Sequence, residues 1–194
     1  MIATNEKTDP INRTDRINGV NMPALHKLVE DVKASPANAM TRWGVTTRWA
    51  GGAASETHVG GFGIGGRRVR KDFTIRIDEP LELAGGNTAP NPQEYLLAAF
   101  NACMMVGYVA LASLHGIELE AVEIESEGDI DLRGFLGLSA DVPPGYDAVR
   151  YTVRIRGDGT PDQFDQIHRA VMATSPNRFN LANPIRLEAN LVVA

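Results

Sequence analysis

The stretch from Pro92 to Leu114 constrains this chain more than any other. Pro92 suits a first helical turn, where its missing N–H costs nothing. Ala, Leu and Met dominate from there to Leu114, and His115-Gly116 supplies a stop. A helix that is apolar nearly all round has to be buried on most faces, so the remaining elements are expected to pack around it. The run is long enough to raise the question of a membrane. Asn101, Gly107 and Ser113 interrupt it and no second such run follows, so a buried core helix is expected and a membrane partner is not. The only cysteine of the chain, Cys103, lies inside this helix.

The segments around it alternate between strand and helix signals. Met1 to Gly19 is polar, shows no periodicity and reads as a mobile or extended arm. Asn21 can cap a short helix with Leu25, Leu28, Val29 and Val32 on one stripe, ended by Ser35-Pro36. Trp43 to Trp49 and Glu56 to Val59 read as strands. Gly60 to Gly66 contains a formal GxGxxG. It leads into the alternating Phe73, Ile75 and Ile77 rather than a helix, so a hairpin loop is expected and not a dinucleotide site. The basic cluster Arg67 to Lys71 reads as a solvated strand end, with an anion-binding role as the alternative.

Beyond the long helix, Ile117 to Glu127 puts Glu123, Glu125 and Glu127 on one face. Val149 to Arg156 puts Arg150, Arg154 and Arg156 on one face. Opposite charges on facing residues favour pairing these two strands antiparallel. Thr160-Pro161-Asp162-Gln163 is a helix start with a capping box. Ile185 to Val193 alternates and predicts a closing strand. Strands group by hairpin, which gives an α+β class with largely antiparallel sheets around a long central helix. Residues 1–40 read as an extension and residues 41–194 as one domain.

Chemistry is sparse. The net charge of −5 argues against a nucleic-acid partner. The four histidines are scattered, with no HxxxH, CxxC or GxSxG, so neither metal nor cofactor is expected. Met1 to Arg16 lacks the apolar segment of a signal peptide, and a lone cysteine permits no internal disulfide. A cytoplasmic location is the expectation. Cys103 is either a small core residue or a reactive thiol, and the second role needs a cation brought from elsewhere in the fold.

The segment Asn87-Thr88-Ala89-Pro90-Asn91-Pro92-Gln93-Glu94-Tyr95-Leu96-Leu97-Ala98-Ala99-Phe100-Asn101-Ala102-Cys103 resembles the signature of the OsmC/Ohr family, the osmotically induced and organic hydroperoxide resistance proteins. The resemblance covers roughly Trp43 to Ala194. It implies an intertwined homodimer with active sites at the interface, and a thiol peroxidase acting on organic hydroperoxides. By the same resemblance, Cys103 stands at the peroxidatic position and Ser175 at the position of the resolving cysteine. The activating carboxylate falls at Gln93 or Glu94. The family's arginine has no clear counterpart, and Arg48, Arg67 and Arg68 are the candidates. Serine cannot form a disulfide, so a one-cysteine peroxidase using an external thiol reductant is implied. Phe100, Met104, Met105 and Tyr108 would then make an apolar pocket. The alternative is a non-catalytic dimer that binds a small apolar molecule or has a structural role.

Overall fold

The computed structural model describes residues 15–193. The chain divides into two compact units, residues 1–95 and 96–194.

In the first unit, β1 (Arg16–Ile17) and β2 (Val20–Asn21) form a minimal hairpin across Asn18-Gly19. The arm read for residues 1–19 therefore ends in ordered structure; residues 1–14 lie outside the described residues. Helix α1 (Met22–Ala34) starts where the sequence places it, with the Asn21 side chain accepting from Ala24 N at 3.0 Å. The sheet is built on β5 (Ala54–Ile64). Both β3 (Thr41–Trp43) and β4 (Thr46–Gly51) pair with one side of β5, and β6 (Arg67–Ile77) pairs with the other, all antiparallel. The expected loop at Gly60 to Gly66 is mostly strand. Gly60 to Gly63 lie within β5, and only Gly65-Gly66 turns the chain. Both turn residues have positive φ, 52° and 75°, the mirror-image turn that matches strand twist. Glycine weakens a strand but does not forbid one where a neighbouring strand supplies hydrogen bonds.

Between β6 and the long helix α2 (Pro92–Leu114), the chain folds around one carboxylate. Asp78 is 2 % exposed. It accepts from the backbone N–H of Glu79 (2.8 Å), Gly86 (3.2 Å) and Thr88 (3.0 Å), and from the Thr88 hydroxyl (2.8 Å). The Thr88 hydroxyl, then the Thr88 and Glu79 amides, lower its pKa to about 2. The loop delivers Asn91 as the cap of α2. Its side chain accepts from Glu94 N at 2.8 Å, and the Glu94 carboxylate accepts from Asn91 N at 2.8 Å.

In the second unit, α2 buries Phe100, Met104, Tyr108 and Ala112, one residue per turn. This stripe meets Ile167 and Val171 of α4 (Pro161–Thr174) and the inner residues of the hairpin β7 (Leu119–Gly128) and β8 (Val149–Gly157). Each of the larger side chains, such as Phe100, Met104, Ile167 and Val171, contributes about 1.5–3 kcal/mol when removed from water. Burial on most faces does not occur, because the second unit offers α2 one apolar surface. Val106 remains 69 % exposed. The strands pair in the register that charge favours, Glu123 opposite Arg154 and Glu127 opposite Arg150. Arg154 bridges Glu123 and Glu125, and Arg150 bridges Glu127 and Asp129. These exposed pairs select register more than they add stability. The connection between the strands carries a short helix, α3 (Leu132–Phe135).

The capping box of α4 forms as read, with Thr160 and Gln163 bonded reciprocally. A helix absent from the sequence reading, α5 (Pro176–Ala182), follows directly. The closing strand does not form. Residues 183–193 adopt no regular structure, and Leu187, Leu191 and Val193 are each 85 % exposed. Alternation makes a strand possible, but backbone pairing needs a free edge, and the segment pairs with no strand here.

Asp78 predicts the acid limb of stability. Its carboxylate stays ionised in the fold at pH values where the unfolded chain binds a proton. Its contribution is complete above about pH 4 and disappears as pH falls toward 2. Urea titrations at pH 7 and pH 3 should show a smaller pH-induced drop in midpoint for Asp78→Asn than for the wild type. Equal drops would remove Asp78 from this role.

Candidate functional site

Cys103 sits midway along α2, partly buried, on the side that meets the end of α4. Two contacts set that approach. A side chain at Gly107 would place its Cβ 3.2 Å from Val171 Cγ2, so glycine lets the helices close to a separation that a larger residue would resist. One residue on, Tyr108 Oη and His168 Nδ1 hydrogen-bond at 2.6 Å. Burial, with Tyr151 nearby, pushes the Tyr108 hydroxyl up to about 12, so it remains a neutral partner in the core.

Helix α4 ends where the sulfur lies. Ser175 N donates to Val171 O at 2.9 Å, closing the last turn. Ser175 is 6 % exposed, and its hydroxyl donates to Cys103 Sγ at 3.6 Å, the longer reach that sulfur accepts. Ser175 O then accepts from Phe179 N at 3.0 Å, so the same residue opens α5. The first turn of α5 is fastened on both sides. Asn177 Nδ2 donates to Ala99 O at 2.8 Å, one turn before Cys103 on α2, and Arg178 donates to Met172 O at 2.9 Å. The backbone of Ser175 is therefore held beside Cys103 by bonds on both sides. Chemically, the contact gives the Cys103 sulfur a hydrogen-bond donor.

The structure brings together Cys103 and Ser175, residues 72 positions apart in sequence. The Glu94 carboxylate accepts from Asn91 N, completing the reciprocal cap that Asn91 makes at the start of α2. Arg48 lies on β4, and Arg67 and Arg68 on β6, all in the first unit. Phe100, Met104 and Tyr108 do not line an open pocket. They are 3 %, 0 % and 1 % exposed and make up the core itself. Sequence reasoning missed Asn177 and Arg178. The signal was present in Ser175-Pro176, where a serine at the cap position is followed by proline at the first helical position.

Known proteins place this arrangement. No curated protein matches the chain. Among solved structures, it is similar to an OsmC-like protein from Mycoplasma pneumoniae, with a TM-score of 0.57 at 14% identity over 73% of this chain and 87% of that one. It is also similar to an OsmC-like protein of unknown function from Vibrio cholerae, with a TM-score of 0.54 at 13% identity over 72% of this chain and 92% of that one. At such identities the likeness is one of fold. The profile of the OsmC-like protein family matches residues 85–190, which hold the loop around Thr88, the whole of α2 with Cys103, the hairpin β7–β8, and Ser175 with the helices on either side of it. By that match, over more than half its length, the chain belongs to the OsmC-like family.

Proposed function

We propose that this protein is a one-cysteine thiol peroxidase that reduces organic hydroperoxides, with Cys103 as the nucleophile. The observation that carries the proposal is the Ser175 hydroxyl donated to Cys103 Sγ. A cysteine serving only as core filler needs no donor at its sulfur. In the proposed reaction the Cys103 thiolate attacks one peroxide oxygen of ROOH. The O–O bond breaks as the S–O bond forms, and the alkoxide leaves and takes a proton to become ROH. Cys103 is then a sulfenic acid. Ser175 cannot resolve it, so an external thiol attacks the sulfur and releases water. A second thiol frees Cys103 and leaves a disulfide between the two reductant molecules. A cytoplasmic setting, rich in small thiols, suits that cycle.

The working unit is proposed to be a homodimer. Trp43, Trp49 and Phe73 stand 66 %, 79 % and 61 % exposed on the first unit's sheet, and the unpaired segment 183–193 exposes its apolar residues as well. Apolar surface of this kind is uncommon on a monomer and is what a second copy would cover. An alternative, a non-catalytic dimer that binds a small apolar molecule, draws support from the serine at the resolving position.

Two measurements test these readings. Under stopped-flow mixing with excess cumene hydroperoxide, dimedone trapping should find a sulfenic acid on Cys103 in the wild type and none in Cys103→Ser. An unmodified wild-type Cys103 would remove the peroxidase and leave the binding protein. Sedimentation equilibrium should return twice the 21.0 kDa chain mass. A monomer at all concentrations would contradict the pairing.

A further inference from the structure

We infer that the first unit's sheet carries an oxyanion-binding site at its β5–β6 tip. Here a cleft of about 960 Å³ is lined by Arg42, Arg68, Gly61 and Gly63 among others. The register places the groups. Arg42 of β3 faces Gly63 of β5, which faces Arg68 of β6, so all three share one face of the sheet. Gly61 and Arg70 face each other two residues along, which puts them on that same face. The middle strand therefore presents bare backbone, flanked by Arg42 on one side and by Arg68 and Arg70 on the other. Strands two apart are separated by roughly 10 Å, which long arginine side chains can span to meet over one ligand.

The ion pairs of this sheet are His58–Asp72 and Arg76–Glu56. Arg42, Arg68 and Arg70 form no ion pair among the described residues. Residues 41–77 hold seven Lys or Arg and two Asp or Glu, in a chain whose net charge is −5. On the paired strands β7 and β8, by contrast, Arg150, Arg154 and Arg156 each meet a carboxylate. Unneutralised guanidinium groups around an open trough suit a ligand bearing phosphate or carboxylate, whose oxygens match the planar fork of arginine.

Isothermal titration of the full chain with pyrophosphate and with citrate, at low salt, tests the assignment and separates the two anion classes. Saturable binding of one anion per chain is expected, weakened about tenfold or more by Arg42→Ala or Arg68→Ala. It should be unchanged by Cys103→Ser and by Arg48→Ala, the latter a charge control on the same sheet. Gly63→Val is the sharper probe. A Cβ at Gly63 meets nothing closer than Arg42 Cβ at 3.5 Å, so the residue fits while filling the trough with every charge kept. Its affinity should fall as far as that of Arg68→Ala. Absence of saturable binding would overturn the site. So would equal losses in Arg48→Ala, which would mean diffuse charge, or full affinity in Gly63→Val.

Discussion

The close packing of α2 against α4 is the contact on which the rest of the second unit depends. It rests on Gly107, where the absent side chain leaves room for Val171. The stripe Phe100, Met104, Tyr108 and Ala112 then seals against α4 and the β7–β8 hairpin. Tyr108 and His168 fix the rotation of one helix on the other. With separation and rotation set, the end of α4 falls on Cys103 and brings Ser175 beside it. A core of aliphatic and aromatic contacts thus fixes a polar contact at its rim. That is how a non-directional force produces a directional hydrogen bond.

The two units solve opposite problems. The second encloses its polar groups and pairs its strand charges, but leaves one side of α2 and the final eleven described residues bare. The first encloses one carboxylate, Asp78, and holds a whole loop with it, while its sheet leaves aromatic residues and several arginines open. Exposed aromatics call for a protein surface, whereas arginines with no ion pair among the described residues call for an anion. The same sheet therefore supports two proposals that different measurements separate.

Much of this was legible in the sequence because it is encoded locally. The capping box at Thr160 and Gln163, the Asn21 cap, and the facing charges of Glu123 and Arg154 each need only a few neighbouring positions or a period of two. The placement of Cys103 on a long apolar helix was equally plain. What escaped depends on partners distant in sequence. Gly60 to Gly63 read as loop because glycine rarely favours a strand, yet Gly63 pairs with Arg42 and Arg68, Gly61 pairs with Arg70, and Gly60 falls at the register shift beside Val59. Ile185 to Val193 read as strand because alternation is visible, whereas the missing partner edge is not. Asp78 gave no signal, since four donors converge on it only after the loop closes. The Ser175–Cys103 contact was reachable only through family resemblance, and even that gave the position without the hydrogen bond.

The account turns on whether the Ser175 hydroxyl makes Cys103 reactive. The most direct measurement is the second-order rate of Cys103 alkylation by iodoacetamide at pH 7, in the wild type, Ser175→Ala and Ser175→Thr. A hydrogen bond to a charged group contributes about 1.5 kcal/mol, so the alanine variant should react about tenfold more slowly. The threonine variant, which keeps the hydroxyl, should stay near the wild-type rate. Equal rates in the wild type and Ser175→Ala would contradict the account and leave Cys103 as a core residue beside an idle serine.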